Sequence, residues 1–324
     1  MTHQEELFDV AIIGGGPAGL SAGVALARAL RSVVVIDAGG QRNLKADGVH
    51  GFLSREGVSP QELLGAGRDE LARFGGTSIT GFVKSARRDG NIFVLSLEDG
   101  SKRTARRLLI TSGITDELPD LPGLAERWGR DVLYCPYCHG WEIRNHNVGV
   151  LAADAHAVVQ ALTFRQWTPD VTLLLNGELA LSPGEAEQLD ARNVQVVDGR
   201  VRGLAVQDDR LAAVTLDDGS AVPLEVLVVS PATVSKANML QALGLEPDGL
   251  EEGPGTRLAT DESGLTSCPG VWAAGNATDV SAQVMTAAAA GLKAAAAINA
   301  DLVMEDTRRA VEQARAGAAQ VPAR

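Results

Sequence analysis

The stretch FDVAIIGGGPAGLSAGVALARALRSVVVIDAGG, Phe8 to Gly40, decides the fold. Its Val10–Ile13 run is short and wholly apolar, as suits a strand buried on both faces of a parallel sheet. Gly14, Gly16 and Gly19 then follow with the spacing G-x-G-x-x-G. A small-residue-rich helix is expected from about Pro17 to Leu30, and a second buried strand over Val33–Ile36. The stretch is therefore one βαβ unit. Each glycine has its own physical reason. The first makes the tight turn, the second lets backbone approach a pyrophosphate, and the third lets helix and strand pack closely. The helix start offers unpaired N–H groups and the positive end of its dipole to those phosphates. Asp37 closes the second strand about 20 residues after the motif, where a carboxylate can bind ribose hydroxyls. A purely structural glycine turn leaves this ordered set of strand, helix and acid unexplained, so the stretch reads as a dinucleotide site.

Outward from this unit the chain repeats the idea. Gln61–Phe74 reads as a helix entered through Ser59 and Pro60. Three β-like pieces follow, SITGFVKSARR, NIFVLSLEDGSK and ARRLLITSG, with EDGS as a hairpin turn. DELPDLPGL, rich in proline and acids, is the expected domain crossing. Beyond it, NVGVLAA, DAHAVVQALTFRQW and DVTLLLNG form a second strand–helix–strand pattern. SPGEAEQLDARN reads as helical, and VQVVDG, VRGLAVQD, LAAVTLDDGS and EVLVVSPA as strands. A short strand ending at WAAGN and a long alanine-rich helix close the chain, with a tail that is helical or frayed. The expected organisation is one domain from residues 1–117 and 248–324, with a second, 118–247, inserted into it.

Composition bounds the function. The chain has 324 residues, 45% of them hydrophobic, enough for two domains. Its 36 glycines and 4% aromatics suit tight βα turns. A formal net charge of −12 would repel a phosphate backbone, so nucleic acid is not an expected partner. Three cysteines, Cys135, Cys138 and Cys268, do not make a disulfide-stapled secreted domain. The N-terminus carries acids where an export signal carries bases. No segment reads as about 20 unbroken apolar residues, so no membrane span is expected. A cytoplasmic protein is the expectation.

GVWAAGNATD, Gly270 to Asp279, chooses between FAD and NAD. It resembles the second FAD fingerprint of flavoproteins built from two dinucleotide folds. There a short strand delivers an acid or amide to the ribityl chain, and a helix N-terminus follows. Asn276 stands where Asp is usual; an amide still donates to and accepts from hydroxyls.

The order of FAD motif, CxxC in the middle domain, then AGN with an alanine-rich helix resembles low-molecular-weight thioredoxin reductase over nearly the whole chain. The resemblance implies an α/β fold with two Rossmann-like, three-layer ββα domains, a homodimer, and a disulfide exchanging electrons with FAD. It implies FAD contacts from Gly14, Gly16, Pro17, Ala18 and Gly19 in the first turn, and from Asp37, Ala38 and Gly39 after the second strand. It extends them to Gln41, Arg42, Asn43 and His50 in the next segment, to Val83, and to Thr111, Ser112 and Gly113 at the crossing. Gly275, Asn276, Gln283 and Val284 complete the set. For His50, a loop histidine without a role is an equal reading.

YCPYCHGWE, Tyr134 to Glu142, has three readings by spacing: haem attachment, half a zinc site, or a redox disulfide. No export signal accompanies it, and the flavin motifs already account for a CxxC here. No second CxxC exists, the histidines are scattered, and Cys268 is alone, so no metal site is expected. The redox disulfide remains. Exchange needs a thiolate attacking a disulfide sulfur, and a helix start lowers a thiol pKa below about 8.5. Cys135 is assigned to exchange with substrate as the more exposed thiol, Cys138 to face the flavin, and His139 to act as general base. Glu142 either orients His139 or sits on the surface. His146 reads as a surface histidine, and Cys268 as a buried small apolar residue.

Two departures from the reductase pattern bear on direction. Its NADPH motif, roughly GGGDSA, is VLAADAHAV here, with Ala152, Ala153 and Asp154 where glycines belong. Added Cβ atoms and a carboxylate both oppose a pyrophosphate. The following strand ends LLLNGELA, without the arginines that bind a 2′-phosphate. Normal NADPH binding is not expected. His139 also replaces the usual Asp after the second cysteine. CxxCHG[WY]E resembles the dithiol oxidases that close the disulfides of dithiolopyrrolone and epidithiodiketopiperazine products, the holomycin- and gliotoxin-oxidase-like branch. That implies electron flow from a small-molecule dithiol through the cysteines to FAD and oxygen. A protein disulfide reductase working on a thioredoxin-like partner, or fed by NADPH or a ferredoxin-like one, and a flavin sensor without turnover, remain the rivals.

Overall fold

The computed structural model describes residues 6–251 and 254–319; the first five residues, on which the export-signal expectation falls, and the last five of the tail lie outside them. The apolar run before Gly14 is β1 (Leu7–Ile13), followed by α1 (Pro17–Arg28) and β2 (Val33–Asp37). α1 stops two residues short of the expected Leu30, because Leu30 takes a positive φ of 62° and turns the chain into β2. α2 (Pro60–Arg73) begins where Ser59 Oγ accepts the Glu62 N–H at 3.2 Å, a side-chain N-cap. β3 (Thr77–Thr80), β4 (Val83–Asp89), β5 (Ile92–Leu97) and β6 (Lys102–Ile110) follow. The first β-like piece is thus two strands, broken at Gly81.

β7 (Ile114–Glu117) carries the chain out. α3 (Leu124–Arg127), β8 (Val132–Leu133), α4 (Pro136–His139), β9 (Val148–Leu151), α5 (His156–Phe164), β10 (Val171–Leu174), α6 (Pro183–Ala191) and β11 (Gln195–Val197) build the second unit. β12 (Val201–Gln207), β13 (Arg210–Leu216) and β14 (Ala221–Pro223) form an antiparallel three-stranded sheet. β15 (Val226–Val228) and β16 (Ala232–Ser235) split the expected EVLVVSPA strand at Pro231. β17 (Asp248–Gly249), β18 (Thr256–Arg257), β19 (Val271–Ala273) and α7 (Val284–Ala319) complete the chain.

The first sheet runs β3-β2-β1-β6-β5-β4, and β19 shares β6 with β5. β6 is nine residues long, so its first half pairs with β5 and its second with β19. In the parallel core Ile13 pairs with Ile36 and Ile110, and Ile110 with Ala273. Four strands therefore end level, and Gly14, Asp37, Thr111 and Ala274 emerge together at one carboxyl edge, where α/β sheets hold ligands. Val10 and Ile12 face α1, α2 and α7, while Ala11 and Ile13 face the other buried side. The second sheet, β11-β10-β9-β15-β8, is parallel, with α5 and α6 packed on one face and β12–β14 on the other. Both units are Rossmann-like.

β7 and β16 pair antiparallel and carry the chain between the sheets in both directions. Ala237, Met239, Leu240 and Leu245 already pack in the first core, so the expected boundary at 247/248 falls after this return segment. By length and composition alone α7 is apolar enough to cross a membrane. Alanine supplies most of that apolar character, and its inward positions Ala294, Ala295, Ile298 and Leu302 are buried against the first sheet's helix layer. Its acids pair inward as well. Arg107 reaches Asp301 at 2.6 Å and Glu305 at 2.5 Å, and Arg31 reaches Asp306 at 2.7 Å.

Candidate active site

A cavity of about 450 Å³ opens at the carboxyl edge of the first sheet. Every residue expected at the cofactor or the disulfide lines it except Gly19 and Gly39. Gly14 has φ +113°, and a Cβ there would lie 2.2 Å from the Thr111 carbonyl oxygen, so only glycine fits this turn. A Cβ on Gly16 would meet no protein atom within 4 Å: the space above that backbone belongs to the cavity. Gly19 instead lets α1 close on β1, its Cβ position lying 2.0 Å from the Gly14 oxygen. Gly39 lies outside the lining, and its N–H donates to Asp37 Oδ1 at 3.1 Å.

Side chains around this turn are held in place. Gln41 Nε2 donates to Asp37 Oδ2 at 2.6 Å. Arg42 donates to both oxygens of Asp116, at 2.7 and 2.6 Å, and to the Val280 carbonyl at 3.2 Å. Arg42 thus ties the 41–43 segment to β7 and to the loop before α7. Asn276 Nδ2 donates to the carbonyls of Asp279, Val280 and Ala282 at 3.0, 3.2 and 3.0 Å. That gives the unexpected amide a reason: an Asp here would face three carbonyl oxygens without a proton to offer. The buried Ser112 Oγ, in the cavity wall, has no protein partner among the described residues. An open glycine cradle at a helix start, a carboxylate at the end of β2 and an orphaned hydroxyl together fit an adenine dinucleotide with its phosphates at Gly14–Ala18.

The disulfide Cys135–Cys138, with Cα atoms 5.3 Å apart, lines the same cavity. β8 delivers it, and α4 starts at Cys135 with Pro136 in its first turn. Both cysteines are half-buried, so exposure does not separate them as expected. Buried Gln160 of α5 donates to the Tyr134 carbonyl at 3.3 Å and steadies the approach. Gly140 follows α4 for a steric reason. A Cβ there would lie 2.4 Å from the Pro136 oxygen and 2.6 Å from the Trp167 ring. Trp167 in turn meets Tyr137 edge-on, with centroids 5.8 Å apart. Upstream, buried Arg127 donates from Nε to Asp131 at 2.7 Å and from Nη1 to Asp209 at 2.8 Å, anchoring the strand that leads to Cys135 on the β12–β13 turn.

Burial holds the His139 imidazole below its ordinary value, with the Glu142 carboxylate opposing and His50 reinforcing that shift. A neutral imidazole beside a disulfide can take a thiol proton at neutral pH. Its Nδ1 is buried without a protein partner among the described residues. Glu142 therefore acts on His139 electrostatically, and also lies 3.7 Å from His50 Nε2. His50 lines the cavity with Nδ1 2.5 Å from Glu56 Oε1. His146 is not in the lining; its carbonyl accepts from Thr168 Oγ1 at 2.7 Å. Cys268, expected to be buried, is only partly so, packed against the first core near Arg88. Among the described residues no metal-ligating cluster forms.

The second unit's turn is built differently. Asp154 Oδ1 accepts the His156 N–H at 2.8 Å, so a carboxylate already occupies an N–H at the start of α5. At the end of β10, Asn176 Oδ1 accepts the Val201 N–H at 2.9 Å, and Glu178 pairs with Arg200 at 3.0 Å. Ala152, Ala153, Asn176 and Glu178 line a smaller cavity of about 250 Å³. The turn at 152–155 carries no glycine.

Several lining residues had no signal in the sequence. Gly15 packs on Asp37, its Cβ position 2.7 Å from the carboxylate, and only the run of three glycines hinted at it. Asp116, Trp128, Lys236 and Met239 come from the crossing and return segments. Lys236 Nζ donates to the Gly40 carbonyl at 3.2 Å, closing the cavity from the far side of the chain.

Residues 8–292 match the family model described as pyridine nucleotide-disulphide oxidoreductase. The thioredoxin reductase tcpT of Claviceps purpurea is 32% identical, covering 83% of this chain and 86% of its own. The thioredoxin reductase sirT of Leptosphaeria maculans is 29% identical, covering 90% and 94%. Among solved structures, HlmI superposes with a TM-score of 0.90 at 43% identity, covering 98% of this chain and 99% of that one. An oxidoreductase from Agrobacterium tumefaciens gives 0.87 at 34% identity, over 92% and 99%.

Proposed function

This chain belongs to the pyridine nucleotide-disulphide oxidoreductase family as an FAD-dependent, thioredoxin reductase-like disulfide oxidoreductase, and from that premise we propose that a small dithiol, not NADPH, feeds its cysteine pair. The observation that carries the reading is the contrast between the two turns. The Gly14–Ala18 turn is open to a pyrophosphate, whereas in the second unit the Asp154 carboxylate already accepts the first N–H of the corresponding helix, that of His156. The net reaction is oxidation of a dithiol to a disulfide with reduction of oxygen to hydrogen peroxide; two electrons and two protons leave the dithiol and both appear in the peroxide.

The chain's own residues serve the sulfur chemistry. His139 takes the proton of an incoming thiol, so that the thiolate attacks the Cys135–Cys138 disulfide and forms a mixed disulfide. The second substrate sulfur then displaces it, closing the substrate disulfide and leaving both cysteines reduced. Cys138 then passes the electron pair onward to the flavin. When bound, FAD supplies the two-electron acceptor. Gly14, Gly16, Ala18, Asp37, Thr111, Ser112, Gly275 and Asn276 would hold it, with the 41–43 segment and Gln283–Val284 along its length. The reading carries with it a homodimer in a cytoplasmic setting.

The names of tcpT and sirT favour the opposite direction, a reductase. Oxygen uptake separates the two. With dithiothreitol as substrate, the purified yellow protein should consume oxygen and release peroxide without NADPH, and Cys138→Ser should stop this while keeping its flavin. Turnover that requires NADPH, or that survives Cys138→Ser, would remove the proposal.

A further inference from the structure

A single residue, Tyr134, separates the end of β8 from the disulfide. β8 pairs in parallel with β15, Leu227 beside Val132 and Val228 beside Leu133. The last bond of that ladder runs from the Val229 N–H to the Leu133 carbonyl at 2.9 Å. Tyr134 lies past it, in the cavity wall. Its carbonyl is taken by a side chain instead, Gln160 Nε2 at 3.3 Å. The other end of the same amide, Oε1, accepts from Ser230 Oγ at 3.4 Å. Ser230 is likewise one residue past the ladder. One amide therefore joins the ends of both strands and extends the hold on β8 to the residue before Cys135. A carbonyl only accepts, so the amide nitrogen must face Tyr134, which leaves the amide oxygen for the hydroxyl.

Gln160 is 5% exposed, and its α5 neighbours Ala157, Ala161 and Phe164 pack in the apolar core of the second unit. An amide buried among apolar side chains is unfavourable unless it is hydrogen-bonded, so an apolar residue would serve this core better. At that depth water does not compete for the two bonds, which keeps them effective although they are long. What Gln160 holds, rather than how it packs, accounts for its polarity.

We propose that Gln160 is a positioning residue for the redox disulfide: through Tyr134 it sets how the Cys135–Cys138 pair stands toward the flavin cavity. It exchanges no proton or electron itself. The far side of the pair is held separately, by the Gly140 N–H on the Pro136 carbonyl at 2.7 Å and by the Trp167 ring against Gly140. Loss of the Gln160 bond thus frees the Cys135 end alone. Exchange with a diffusing dithiol tolerates that freedom, because the substrate follows the sulfur. Onward transfer to a cofactor fixed by the first unit does not, since small misplacements are costly in rate.

The inference rests on the proposed passage of electrons from a dithiol through the pair to flavin, and the test keeps the two apart. Wild-type, Gln160→Met and Ser230→Ala holoproteins are mixed anaerobically with dithiothreitol. Flavin absorbance is followed, and acid-quenched samples are alkylated to count reduced cysteines. Methionine keeps the length of the side chain and lacks the donor, so Gln160→Met should keep its flavin and the wild-type Tm or a higher one. Its cysteines should be reduced at the wild-type rate while its flavin bleaches about tenfold more slowly. Ser230→Ala should show a smaller delay of the same kind. The double variant should be no slower than Gln160→Met, because both changes act on one amide. Wild-type bleaching in Gln160→Met, or cysteines reduced as slowly as its flavin bleaches, would overturn the inference and leave the functional reading standing. A loss of flavin or Tm that accounts for the slower rate would make Gln160 a packing residue and overturn it equally. A wild type that dithiothreitol does not bleach would remove the functional reading and the inference with it.

Discussion

Gly140→Ala is a one-methyl probe of how the disulfide is held. Gly140 has φ −59° and ψ −35°, a helical conformation that alanine adopts freely. In open surroundings the change would stabilise by about 0.4–1 kcal/mol through the unfolded chain. Here the new methyl would lie 2.4 Å from the Pro136 oxygen and 2.6 and 2.7 Å from two ring carbons of Trp167. Neither is the far end of a flexible chain: one is backbone, and the other is a ring fixed by Tyr137 and Phe164. Overpacking of this kind costs about 1–3 kcal/mol. The balance is a net loss of roughly 0–2.6 kcal/mol, and at about 2–4 °C per kcal/mol a fall in Tm of several degrees. The displaced ring pushes Tyr137 and α4, so the dithiol bleaching rate should fall by about tenfold or more, since small misplacements are costly in rate. Thermal unfolding and anaerobic stopped flow measure the two effects. Gly140→Ala/Trp167→Leu should recover much of both, as coupled neighbours do. A single variant as stable as wild type, bleaching at the same rate, would refute the packing argument.

Asn276→Asp exchanges an amide donor for a carboxylate facing three carbonyls. FAD should bind about 5- to 150-fold more weakly, from a cost of about 1–3 kcal/mol, read from flavin fluorescence on dilution. Because burial lowers the His139 pKa from its ordinary 6.5, the dithiol rate should rise with pH through that lowered value and be flat by neutrality; His139→Gln should erase the acidic limb. The same shift has a stability sign. As pH falls from about 6.5 toward the folded-state value, the unfolded chain takes up a proton that the folded chain refuses, so stability is lost across that window; His139→Gln should be less acid-sensitive in urea titrations. Arg127→Met strands Asp131 beneath the β12–β13 turn, and breaking a buried pair should cost about 3–5 kcal/mol, seen as a lower urea midpoint with FAD still bound.

What could be read from the chain was local. Gly14, Gly16 and Gly19 announce themselves because a tight turn, a phosphate approach and a helix contact all fall within six residues. Asp37 follows from its spacing after the glycine motif, Asn276 from the resemblance of GVWAAGNATD to an FAD fingerprint, and the eroded VLAADAHAV turn is visible letter by letter. What escaped was long-range. Asp116 meets Arg42 across 74 residues, and nothing near either position marks the pair. Trp167 explains the glycine in CxxCHG only once α5 is packed on the second sheet. For His50 the sequence offers a cofactor-lining and an idle reading equally; Glu56 is local to it, but Glu142 meets it from the second unit.

The direction of electron flow is the claim on which the account turns, and anaerobic reduction tests it most directly. The oxidised yellow protein, mixed in stopped flow with dithiothreitol, should lose its flavin absorbance, and the same protein mixed with NADPH should keep it. Rapid bleaching by NADPH would contradict the account, because it would mean that the turn closed by Asp154 still accepts the nucleotide.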